Sequence, residues 1–192
     1  ASQSEGYSGS GQSRASSTPA GAYASGIVAQ SFGGGGGRVV GNQATSTVYA
    51  ARLGSSSGGG DGASVNLNVS GAITTNGLYA NGIVAQSIGA GGGILDYLVN
   101  SMTFGAVPTS AGSGGVVNVT QSGPITTNAT GIGILAMSVG GGGGLATVAG
   151  GQSLANGSGL QNTSNGGAVT VNVNAPIVTK GTASPGVLAV SI

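Results

Sequence analysis

The chain has 192 residues, 43 of them glycine, with four basic and three acidic side chains and a net charge of +1. It contains no His, Cys or Trp. This composition excludes imidazole-based catalysis, thiolate chemistry and disulfide staples, and it offers no electrostatic footprint for nucleic acid or an anionic membrane surface. No apolar run reaches the roughly 20 residues that a transmembrane helix needs.

The first recognisable element is Gly26 to Gly37, GIVAQSFGGGGG, a short apolar strand that runs into a glycine tract. Gly21, Tyr23 and Ala24 precede it. Next comes a Gly- and Ser-rich stretch with Gly54-Ser55-Ser56-Ser57-Gly58 and Asp61, and then Ala63 to Thr75, ASVNLNVSGAITT. Val65, Leu67 and Val69 alternate there with Asn66, Asn68 and Ser70, the period of a half-buried strand. Gly71 marks a corner, and a second short strand is expected around Ile73. Gly82 to Gly93, GIVAQSIGAGGG, repeats the strand-plus-glycine motif, with Gly21, Tyr23 and Ala24 now matched by Gly77, Tyr79 and Ala80. Gly115 to Thr127 (GVVNVTQSGPITT) and Gly133 to Gly144 (GILAMSVGGGGG) form the next copy. Gly167 to Thr179 (GAVTVNVNAPIVT) and Gly186 to Ile192 (GVLAVSI) form the last.

The alternating blocks align without a gap at an interval of 52, so that Val65, Val117 and Val169 fall in register, as do Ile73, Ile125 and Ile177. Gln121 interrupts the apolar row that Val69 and Val173 occupy, which places it near a strand end. Self-similarity at such a period is the signature of a solenoid, in which one unit cannot bury its apolar face alone and must stack on its neighbours. The expected fold is therefore all-β, a parallel β-helix. Residues 1–192 form one repetitive segment, divided as a partial repeat 1–62, repeats 63–114 and 115–166, and a partial repeat 167–192. Entry and exit partway through a repeat, and Ala1 in place of an initiator Met, are what a slice or mature segment of a longer repetitive protein is expected to have.

From Val65 to Ile88 the pattern predicts three strands and two corners, the content of one coil. The other half of each repeat, such as Gly89 to Gly114 with Ile94, Leu95, Tyr97, Leu98, Val99, Met102 and Phe104, predicts an irregular coil or excursion. In the GIVAQSI strands Ala29, Ala85, Ala136 and Ala189 match, as do Ser31, Ser87, Ser138 and Ser191. The opposite face exchanges Gln30 and Gln86 for Met137 and Val190, so neither face is fully wet. The small Ala and Ser side chains imply a close approach on their side. The expected neighbour is the glycine tract, since residues without Cβ allow backbone-to-backbone packing.

A VxVxxxGxIxT block followed by GIxAQSIGGGGG resembles the repeats in passenger regions of large bacterial autotransporter adhesins, over about Gly21 to Ile192. The later GILAMSV and GVLAVSI copies depart from that pattern at the Gln. The resemblance implies a right-handed parallel β-helix secreted to, or displayed on, the bacterial cell surface, in a family that typically carries a C-terminal membrane β-barrel. It supplies no catalytic residues.

No catalytic, cofactor-binding or metal-binding residues are expected, and the chain is not read as an enzyme. Residues 54–58 fit the nucleophile-elbow pattern G-x-S-x-G, but the His that would serve as base is missing. Gly131 to Ala136 fits a loose dinucleotide pattern yet belongs to the repeat. Three scattered carboxylates cannot supply the six to eight oxygens, roughly, that calcium prefers unless backbone carbonyls dominate the site. The sequons at Asn68, Asn118, Asn128, Asn156 and Asn162 read as outward ladder and corner residues. Thr74-Thr75, Thr126-Thr127 and Thr179 raise an ice-binding array, which Lys180 interrupts. Tyr23 and Tyr79 are candidates for stacking on sugars, with Thr130 and Ser184 in their place in later copies.

The expected function is structural: an extracellular β-solenoid segment of a bacterial surface adhesin or self-assembling filament. Its expected partners are copies of itself, continuation of a longer repeat array, or a host or surface polysaccharide or protein receptor, with no nucleic acid and no transmembrane segment. The alternative is a β-solenoid module that binds a polysaccharide or ice.

Overall fold

Strands recur wherever the sequence alternates, and the alternating blocks lie beside their own copies. A computed structural model describes residues 12–13, 21–40, 50–53, 59–96, 101–104, 112–148, 151–156 and 164–192. Among these residues all regular structure is β. The first copy holds β1 (Gln12–Ser13), β2 (Ile27–Phe32), β3 (Gly36–Val40) and β4 (Ala50–Leu53). The second holds β5 (Val65–Val69), β6 (Ile73–Thr75), β7 (Ile83–Ile88), β8 (Gly92–Asp96) and β9 (Ser101–Phe104). The third holds β10 (Val117–Gln121), β11 (Ile125–Thr127), β12 (Ile134–Val139), β13 (Gly143–Val148) and β14 (Gly151–Asn156). The last holds β15 (Val169–Val173), β16 (Ile177–Thr179) and β17 (Val187–Ser191).

The fold is a parallel β-helix. Its first sheet has the order β1-β5-β10-β15, its second β6-β11-β16 and its third β2-β7-β12-β17. The sequence alignment is the spatial register: Val117 lies between Val65 and Val169, and Ile125 between Ile73 and Ile177. Like residues therefore stack at the strand spacing of about 4.8 Å.

The coil encloses one core. Val65, Val69, Ile73, Ile83 and Ala85 from one coil pack with Val117, Val119, Ile125, Ile134 and Ala136 from the next. The first and third sheets face each other across it, β5 against β7 and β10 against β12. Outward residues of the first sheet are polar, and the Asn118 amide donates to Asn66 Oδ1 at 2.8 Å.

The second half of each repeat builds further sheets. β3, β8 and β13 pair in parallel, and β4 pairs with β9 in parallel. β13 also turns back on itself, so that β13 and β14 form the one antiparallel pair among the described residues, with Gly143 opposite Asn156 and Val148 opposite Gly151. This half is thus an excursion built from strands and stacked in its own right. Of the apolar residues expected there, Ile94 and Leu95 are buried. Tyr97, Leu98 and Val99 lie outside the described residues.

Candidate functional site

The third sheet is the structural centre of the molecule, because it separates two cores. Ile83 and Ala85 face the coil core. Val84 and Ile88 face the other way and join Leu135, Met137, Val139, Ile94 and Leu145 in a second core. Ile94 and Leu145 lie on β8 and β13, just after the glycine tracts. A strand covered on both faces reads as a continuous apolar run, not as an alternation, which is why GIVAQSI lacks the period of VNLNV. All six residues of β7 and all six of β12 are buried.

Gln86 is fully buried in the second core. Its Oε1 accepts from Gln30 Nε2 at 2.7 Å, and its Nε2 donates to Met137 Sδ at 3.0 Å. The column Gln30–Gln86–Met137 thus satisfies a buried amide through its copies, with the polarizable thioether as a weak acceptor at the step where Gln is replaced.

The serines of this sheet form a staircase. Ser87 Oγ donates to the carbonyl of Ala63 at 2.8 Å and accepts from the amide of Gly115 at 2.8 Å. Ser138 Oγ donates to Gly115 and accepts from Gly167, both at 2.7 Å. Ser31 Oγ accepts from Ala63, and Ser191 Oγ donates to Gly167. The Ser87 and Ser138 hydroxyls each close their own coil and fasten it to the next, while Ser31 makes only the bond to the next coil and Ser191 only the closing one. A side chain on Gly62, Gly114 or Gly166 would overlap the serine oxygen of its coil. The close approach expected beside the small residues is therefore real, but its source is different. These pre-strand glycines come near the serines, whereas the long tracts do not.

The tracts have another role. Gly92, Gly93, Gly143 and Gly144 hold φ of 154°, 151°, 151° and 153°, which an L side chain rarely adopts. They stack copy on copy: Gly93 pairs with Gly37 and with Gly144, and a Cβ at Gly93 would overlap the Gly37 carbonyl oxygen. Glycine packs on glycine, and this tight reversal delivers Ile94 and Leu145 to the second core. The glycine-rich segments do pack against the strands, through two separate sets of glycines.

The remaining candidates have structural surroundings. The Thr75 hydroxyl donates to the Ala80 carbonyl at 2.7 Å, Thr127 to Gly131 at 3.3 Å and Thr179 to Ser184 at 2.7 Å. These hydroxyls tie the corner after the second sheet, and the column that points outward is Thr74, Thr126 and Val178. A regular threonine array is thus absent from that face among the described residues. Gly131 to Ala136 leads into buried strand β12, which removes the helix N-terminus that a dinucleotide site requires. Asp61 Oδ1 accepts from the Ser113 amide at 2.7 Å. No group of three or more metal-ligating side chains occurs among the described residues. Residues 54–58 and Asn162 lie outside the described residues. The sequon at Asn128 donates its amide to Asn76 Oδ1 at 2.6 Å, a corner ladder like that of Asn118.

Tyr23 and Tyr79 stack on each other, with ring centroids 5.7 Å apart and planes 16° apart. Both have positive φ, 61° and 57°, and the same conformation recurs at Ala183 with 52°. Ala183, rather than Ser184, therefore replaces the tyrosine in the last copy.

No protein-family model, curated protein or solved structure matches the chain. Among the described residues no helix is long and apolar enough to cross a membrane.

Proposed function

We propose that the chain is a stiff β-solenoid segment of an extracellular bacterial protein, an adhesin or self-assembling fibre, with a mechanical role and no catalytic one. The observation that carries this reading is the in-register stacking of the four strands of the third sheet, one from each copy, joined by the serine staircase. A solenoid of this kind gains stability from nearest-neighbour interfaces and extends in one dimension. Low charge leaves little repulsion between copies, which favours their association into fibres. The resemblance of the repeats to autotransporter passenger regions supports a location at the cell surface or in the medium.

Imaging of the purified chain by negative-stain electron microscopy tests the reading. Elongated rods or filaments are the expected result, and compact globules would overturn it. The alternative, a polysaccharide-binding module, draws support from the exposed Asn66–Asn118 and Asn76–Asn128 columns. Saturable binding of a glycan, lost on replacing those asparagines, would favour it over a purely mechanical role.

A further inference from the structure

We propose that Tyr23 and Tyr79 form an oxidative cross-linking site, where peroxide-driven one-electron oxidation joins adjacent coils through a dityrosine bond. This goes beyond the mechanical reading and rests only on the tyrosine stack.

The two phenols come from different copies yet lie face to face, at a centroid distance of 5.7 Å. Their backbones are fixed to each other. The Tyr23 amide donates to the Leu78 carbonyl at 2.8 Å, and the Gly26 amide to the Asn81 carbonyl at 2.9 Å. A Cβ on Gly77 would overlap the Gly21 carbonyl, so the two turns are in backbone contact. The matching positive φ of both tyrosines aims the rings the same way from the same corner. Both rings are partly exposed, which admits a small oxidant or hands an electron to a larger one. The chain has no Trp, Cys or His to intercept a radical formed on either phenol. The later copies cannot repeat the site, since Thr130 and Ala183 carry no phenol.

The chemistry balances. Each phenol gives up one electron and one proton. The two phenoxyl radicals couple, forming a carbon–carbon bond between ring positions ortho to the hydroxyls. The hydrogen on each coupled carbon then moves to its phenoxyl oxygen, which restores both aromatic rings. Hydrogen peroxide accepts the two electrons and two protons and leaves as two water molecules. Proximity in the folded state converts an encounter between radicals into an intramolecular step. The product is a covalent rung between neighbouring coils in a chain that has no cysteine for a disulfide.

The test treats the dilute folded chain with a haem peroxidase and hydrogen peroxide, then reads dityrosine fluorescence and peptide masses. The expected result is an intramolecular Tyr23–Tyr79 peptide pair, lighter by two hydrogens, as the main coupled product. It should be lost in Tyr23→Phe and in Tyr79→Phe, which keep both rings and an unchanged circular dichroism spectrum. It should also be lost when the wild-type chain is unfolded in urea before oxidation. Coupling through Tyr7, Tyr49 or Tyr97 instead, coupling only between chains, an equal yield in urea, or no coupling at all would each overturn the proposal.

Discussion

The coil and the excursion of each repeat stack on their copies by different means. In the coil, side chains set the register: aliphatic residues lie on aliphatic residues, Asn on Asn, and Ser closes the ring. The sequence separation across that closure is nearly constant, 24 residues from Ala63 to Ser87, 23 from Gly115 to Ser138 and 24 from Gly167 to Ser191. In the excursion, bare backbone sets the register through the stacked glycines. The separation across it varies, 32 residues from Ser31 to Ala63, 28 from Ser87 to Gly115 and 29 from Ser138 to Gly167. A coil that must close on a packed core tolerates almost no change in length. An excursion anchored at its base by glycine can differ beyond that anchor, as the β13–β14 hairpin does.

The contrast can be broken most severely at Gly93. Gly93→Ala forces a side chain into a glycine-only conformation and against the Gly37 carbonyl, at an expected cost of about 3 kcal/mol or more. Amide hydrogen exchange should show protection falling in β8 and β13 while β5, β10 and β15 keep theirs. A uniform fall would mean that coil and excursion open as one cooperative unit.

A smaller effect is expected at the staircase. Ser138→Ala leaves the Gly115 carbonyl and the Gly167 amide without their partner, at about 1–2 kcal/mol in urea unfolding. Here protection should fall on the coil side, around β10, β12 and β15. An unchanged midpoint would show that water replaces the hydroxyl at no cost.

The smallest change has the opposite sign. Gln121 is fully buried, its Nε2 donates to the Gly123 carbonyl, and its Oε1 has no hydrogen-bond partner. Gln121→Val restores the residue type of Val69 and Val173 on either side. The gain is expected to be about 1 kcal/mol, read as a raised denaturant midpoint with an unchanged slope.

Much of this design was legible beforehand. The interval of 52 located the residue pairs among β5, β10 and β15 and among β6, β11 and β16, since the period-two alternation of VNLNV and VTVNV fixes which side faces in. The pairing of Gln12–Ser13 with β5, at an interval of 56, was not legible, because no alternating block precedes Gly26. Small Ala85 and Ser87 announced a close approach, but Gly62 and Gly114 had to be found in space, because they sit a full coil away from the serines they meet. The threonine pairs looked like an outward array, whereas every second hydroxyl turns in to hold a corner carbonyl. That partition follows from the pleat and from the carbonyl's position, and the second of these is not a local property. The tyrosine column was misaligned by one residue at Ser184: counting back three residues from Gly82 and from Gly186 pairs Tyr79 with Ala183, and the shared positive φ agrees.

By itself the sequence determined the coil: its strands, its corners and its register, because alternation and repetition are local and each copy carries the same instruction. Tertiary structure alone decided what lies on the far side of the third sheet. The exchange of Gln for Met and Val indicated that this face is not fully wet, but which residues cover Val84, Gln86 and Ile88 depends on where Ile94 and Leu145 arrive after the glycine reversal. Glycine has no side chain to record that destination, so only the packed molecule reveals it.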